Sequence, residues 1–277
     1  MPSRTVRTTL AAPVGLPGRR GVTFARVLSA EWGKTASLSS TWCSVLAAVV
    51  VNAAVACFVA YDAGYDLSAE PPGLLHLLTM ALVATQLPVI YVGVLVSSSE
   101  YFTGSIRATL LAVPRRLQVI AAKTITVGVV AALSGIAALT VTYLAVLPFR
   151  HRVDLTLDFS DGETTRVLGG FVLYLVAVAL LCTGVGTLAR RPAAGLVVAV
   201  GLLFLLEQAL TMIGSTAALA VLPGWAGRLV ATPDVGVAAT VAPLGTGLTP
   251  WQGYGVLLGW TALALTAAAV RLHRSDA

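Results

Sequence analysis

Six long apolar runs, five without any charge, decide what this chain can fold into. They lie at roughly 42–61, 74–96, 124–148, 167–189, 193–213 and 252–270, and only the fifth contains an acid, Glu207. A bilayer core about 30 Å thick is crossed by about 20 apolar residues of helix at about 1.5 Å per residue, so each run is long enough to span. Charged residues make up 11% of the 277-residue chain, against roughly a quarter in soluble domains. The expected fold is an all-α integral membrane protein with six transmembrane helices. Residues 21–277 are expected to form one six-span transmembrane domain, and residues 1–20 a disordered cytoplasmic tail. That tail has basic residues and prolines but no apolar core, so it does not read as a signal peptide.

Orientation follows from Lys and Arg, which are retained on the cytoplasmic side of short loops. With both termini inside, only Arg150, Arg152, Arg166 and Arg228 of the 18 basic residues fall outside. Most acids fall outside with them, among them Asp62, Asp154, Asp158, Glu163 and Asp234. The expected location is the plasma membrane. The net charge of +6 is then a consequence of topology and of attraction to anionic inner-leaflet lipid, and nucleic acid is not an expected partner.

Two segments between runs carry their own pattern. In "VTFARVLSAEWGKTASLSSTW", Phe24, Val27, Leu28 and Trp32 recur at helical spacing while Arg26, Glu31 and Lys34 fall on other sides, which predicts an N-terminal interfacial helix, or else a juxtamembrane extension of the first span. After Ile213 the chain is apolar but broken by Gly and Pro, and is expected to be a loop packed at the membrane surface. Between the second and third runs lies "SSSEYFTGSIRATLLAVPRRLQVIAAKTI", the most polar internal stretch. Glu100 is placed there at the start of a helical turn, with Ile106, Leu110 and Val113 at i, i+4 and i+7 and Pro114 ending the run. This describes a short amphipathic helix held under the membrane, or else a basic loop touching lipid phosphates.

The segments "RVLSAEWGKTASLSSTW", "SEYFTGSIRATLLAVPRR" followed by "AAK", and "LPGWAGRLV", "GLTPWQGYGVLLGW" and "RLHRSDA" near the C-terminus resemble the ABC type-2 permeases, the membrane subunits of ATP-binding-cassette exporters. The resemblance covers most of the chain beyond the tail. It implies that the loop between spans two and three is a coupling helix docking on a separate ATP-binding subunit, with Glu100, Tyr101, Gly104, Ile106, Arg107, Leu110, Pro114 and Arg115 in that role. Ser105 stands where the family is expected to have Thr. It also implies a second permease copy, identical or different, and gives no substrate. These 277 residues contain no G-x-x-x-x-G-K-[ST] phosphate loop, so the chain is expected to be a transport subunit and not itself an enzyme. The alternative is a non-transporting membrane protein, an immunity or sensory component, on the same scaffold.

Other residues point less far. Cys43, Cys57 and Cys182 read as small packing residues, and His76, His151 and His273 are too scattered for a shared metal, so neither metal nor cofactor is expected. Glu207 is different, because an acid at mid-bilayer costs about 2.5–3.5 kcal/mol on insertion scales and faces protein or water. It reads either as a path-lining or interface residue, or as a hydrogen-bonded structural group. Gln86, two residues before Pro88, and Asn52 are lesser candidates of the same kind. Gly255 and Gly259 make a G-x-x-x-G pair that permits close helix approach.

Overall fold

The computed structural model describes residues 23–63, 72–105, 116–160, 162–214, 216–241 and 247–274. Six helical stretches are long and apolar enough to cross a membrane: 39–62, 74–102, 117–149, 163–189, 192–213 and 250–272. They match the six expected runs and extend them, the second forward to Phe102 and the third back to Leu117. The described residues contain no sheet, only one isolated bridge between Gly73 and Asp154. The sequence-expected tail, residues 1–20, lies outside the described residues.

Before the first span comes α1 (Phe24–Ser37), which ends where Leu38 turns extended and α2 (Ser39–Asp62) begins. The second span is two helices, α3 (Leu74–Thr79) and α4 (Leu82–Thr103). Then come α5 (Arg116–Val146) and α6 (Glu163–Ala189). The fifth span is α7 (Pro192–Val200), a π-helical turn (Gly201–Leu205) and α8 (Leu206–Ile213). Short helices α9 (Thr216–Leu219), α10 (Pro223–Arg228) and α11 (Asp234–Val241) lead to α12 (Pro250–Arg274).

Spans two and four form the centre, with 61% and 67% of their apolar windows buried in protein, whereas span five buries 17%. The packed face is marked by small residues. On α2 the buried positions are Thr41, Ser44, Ala48, Asn52, Ala56 and Ala60, while Trp42, Leu46, Val50 and Phe58 are exposed. This is the membrane logic: lipid offers an apolar residue as good a surroundings as protein does, so small residues that let backbones approach define the interface. At Gly170 on α6 an added Cβ would lie 2.3 Å from the Val230 carbonyl oxygen, so this glycine seats the segment after Ile213 against the bundle. Among the described residues Gly255 and Gly259 have nothing within 4 Å of the equivalent point, whereas Gly253 lies close beside the Ala226 carbonyl.

The segment after Ile213 differs from the expected surface loop. It folds into short helices whose Trp225, Ala226, Leu229, Val230 and Ala231 are buried. Arg166 on the first turn of α6 holds it, donating to the carbonyls of Leu229, Val230 and Thr232 at 3.1–3.3 Å and to Asp234 Oδ1 at 2.7 Å. Glu163 accepts from the Asp234 backbone N–H, which caps α11. Gly and Pro mark the broken structure here, and one partly buried arginine satisfies carbonyls that the breaks expose.

Candidate functional site

The described charges sort to two ends of the bundle. One end gathers Asp62, Asp154, Asp158, Glu163 and Asp234 with Arg152 and Arg166; there Arg152 donates to the Tyr61 carbonyl, and the Leu74 N–H to the Asp154 carbonyl. The other end holds Lys34, Lys123, Arg190 and Arg271, and the polar insert leaves the bundle from this basic end.

The insert is anchored by a four-charge cluster. Glu100 lies in the last turn of α4, not at the start of a new helix as expected, because α4 continues past the apolar run until Gly104 adopts a left-handed φ of 76°. An acid at a helix C-terminus opposes the helix dipole. Here it is offset by two ammonium groups: Lys34 Nζ donates to Glu100 Oε1 at 2.9 Å and Lys123 Nζ lies 3.4 Å from Oε2. Glu31 on α1 completes the cluster, accepting from Lys34 at 2.6 Å and lying 3.3 Å from Lys123. Lys123 also donates to the Val96 carbonyl at 3.0 Å. Among the described residues two carboxylates and two ammoniums balance, so burial of Glu31 (2% exposed), Glu100 and Lys123 is compatible with a stable fold. Burial works against the Lys34 charge, but the hydrogen bonds to Glu100 and Glu31 outweigh it and hold its pKa above the ordinary lysine value. Its contribution is therefore fully present below about pH 10 and is lost only as pH rises through the shifted value.

The cluster lies on the bundle-facing side of α1. Val27, Glu31 and Thr35 point to the bundle, where Val27 packs on Val119 and Ala122 of α5, while Phe24 and Trp32 are exposed. Of the expected coupling residues, Tyr101 lies under the Arg190 guanidinium, 5.5 Å from its ring centre, and Gly104 ends α4. Ile106, Arg107, Leu110, Pro114 and Arg115 lie outside the described residues.

Asn52, Gln86 and Glu207 occupy two polar islands inside the bundle. Asn52 Nδ2 donates to the Leu78 carbonyl at 3.1 Å and to Thr142 Oγ1 at 2.8 Å, and its Oδ1 accepts from Thr85 at 3.2 Å. The Leu78 carbonyl loses its helical partner where α3 breaks from α4, and Asn52 replaces that partner inside lipid-excluded protein. Gln86 accepts from Tyr174 Oη, while its Nε2 is buried without a partner among the described residues. Glu207, 4% exposed, sits just after the π-helical turn and is gripped by both terminal nitrogens of Arg228, the Nη1–Oε2 contact measuring 3.0 Å. The structure thus places Asn52 and Glu207 in intramolecular hydrogen bonds. Sequence reading had put Arg228 in an outer loop and gave it no partner; the signal available was one basic residue in an otherwise apolar stretch.

Cys43, Cys57 and Cys182 are free thiols, and no group of three or more His, Cys, Asp or Glu that could hold a metal occurs among the described residues. Compared with protein-family models and with curated proteins, the sequence matches none.

Proposed function

We propose that this chain is the transmembrane permease subunit of an exporter driven by a separate ATP-binding subunit, which docks on the insert that follows Tyr101. Its termini face the cytoplasm, and it works with a second permease copy in the plasma membrane. The supporting observation is the anchorage of the insert: the last turn of α4 is tied through Glu100 to Lys34 of α1 and Lys123 of α5. A load applied to the insert by a docked partner reaches α1 and spans two and three together, which is what coupling to a two-state membrane bundle requires. The resemblance of the insert and its flanks to the type-2 permeases points the same way.

The test is capture of the tagged full chain from its own membranes. The expected result is stoichiometric recovery of a protein carrying a phosphate-loop motif, lost when residues 101–113 are replaced by a Gly and Ser linker. Recovery without such a protein, or equal recovery with the linker, contradicts the reading. Orientation has its own check in a background lacking Cys43, Cys57 and Cys182. An impermeant thiol reagent applied to intact cells should label Ser160→Cys and not Ser105→Cys, and the reverse pattern would invert the topology.

A further inference from the structure

The structure assigns a phosphate-binding site to Arg190, Arg271 and Tyr101, where the close of span four, the start of span five and the close of span six meet at the basic end. Helix α6 ends at Ala189, and Arg190 takes a left-handed backbone (φ 58°), the one non-glycine residue with positive φ among the described residues. Its guanidinium lies over the Tyr101 ring, and its Nε is buried with no hydrogen-bond partner among the described residues. Arg271 reaches the same corner from α12, donating to the Leu188 carbonyl, and both arginines act electrostatically on the Tyr101 hydroxyl.

No acid among the described residues answers these charges. Neither arginine has an ion-pair partner among the described residues, and the sequence holds no Asp or Glu between Arg166 and Leu206 or anywhere in α12. Glu100, the residue before Tyr101, is already held by Lys34 and Lys123. Helix α7 starts at this corner with Arg191 as a cap that makes no side-chain hydrogen bond and with no acid in its first turn. Two uncompensated guanidinium groups, a phenol hydroxyl and an uncapped helix start make a donor set for a tetrahedral oxyanion. Arginine forks match phosphate oxygens pairwise, and helix N–H groups add to them. At the end of a membrane bundle the phosphate is supplied by a lipid headgroup or from solution, and the two sources are separable. Nothing in this assignment depends on transport.

The test is thermal unfolding of the purified full chain in a neutral detergent, titrated with dihexanoyl phosphatidylglycerol, dihexanoyl phosphatidylcholine or inorganic phosphate. The expected result is that phosphatidylglycerol raises the midpoint at about tenfold lower concentration than phosphatidylcholine, and that Arg190→Gly and Arg271→Gln each weaken this response about tenfold. Arg190→Gly suits the left-handed backbone better than arginine does, so its midpoint without lipid should not fall, which separates ligand loss from misfolding. If inorganic phosphate alone reproduces the shift in wild type and loses it in both variants, the site stands with free phosphate as its ligand. If the lipid and phosphate responses are the same in wild type and variants, the site is overturned. It is equally overturned if the variants keep the lipid response and instead shed a co-purifying protein, since the arginines would then serve a protein surface.

Discussion

Lys123→Met should destabilise the protein by roughly 3–5 kcal/mol, the cost of removing one partner from a buried ion pair. The substitution keeps much of the side-chain volume but leaves Glu31 and Glu100 buried with Lys34 as their one shared cation among the described residues, which removes one positive charge from the cluster. Lys34→Met should cost less, because the Lys34 side chain is 43% exposed and Lys123 still touches both acids after its removal. Adding Glu31→Gln to Lys123→Met restores neutrality and should recover a large part of the loss. Reversible unfolding in mixed detergent measures all four. Equal costs for the two lysines would show that the cluster does not act as a buried network.

The second large effect is expected at the other polar island. Arg228→Met strands the Glu207 carboxylate, whose side chain is 6% exposed, and should again cost roughly 3–5 kcal/mol. Glu207→Gln combined with Arg228→Met removes the stranded charge and should lie close to wild type in stability, because an apolar or neutral pair of similar size replaces a buried ion pair at little cost. If the double variant is as unstable as Arg228→Met alone, the loss comes from packing of the α10 segment and not from charge. The double variant also isolates function: normal stability with reduced export would assign Glu207 to a transport path, and normal export would leave it a structural clasp.

The six spans were legible in sequence because uninterrupted apolar length is a direct demand of the bilayer. The faces were less so. In α1 the apolar stripe is split, Val27 buried and Phe24 and Trp32 exposed, because inside a membrane apolarity does not separate a lipid-facing side chain from a protein-facing one. The readable mark was elsewhere: small and weakly polar residues at intervals of about four on α2, from Ser44 through Asn52 to Ala60, trace the packed face. Buried charges carried information of the same kind. Glu31, Glu100 and Lys123 were each visible in the sequence, but their meeting depends on how α1, α4 and α5 pack, and a charge read alone defaults to a solvated one. The Gly and Pro breaks after Ile213 were also visible, but that Arg166 would satisfy the carbonyls opened there could not be read from spacing; the break between α3 and α4, at Met80 and Ala81, carries neither Gly nor Pro and lies inside a run read as continuous. Glu100 was displaced from a helix start to a helix end for a simple reason. Its two lysines stabilise helix beyond the point where the dipole and the apolar run would have ended it.

The central claim, that the insert after Tyr101 couples this bundle to a separate ATPase, is tested most directly by ATP turnover of the captured complex in bilayers. Three forms should be compared: wild type, Arg107→Glu, and the chain with residues 101–113 replaced by a Gly and Ser linker. Charge reversal at one docking residue should weaken partner retention and lower turnover while leaving unfolding of the chain unchanged, and the linker should abolish both retention and any dependence of turnover on the chain. Undiminished retention and turnover with the linker in place would contradict the account.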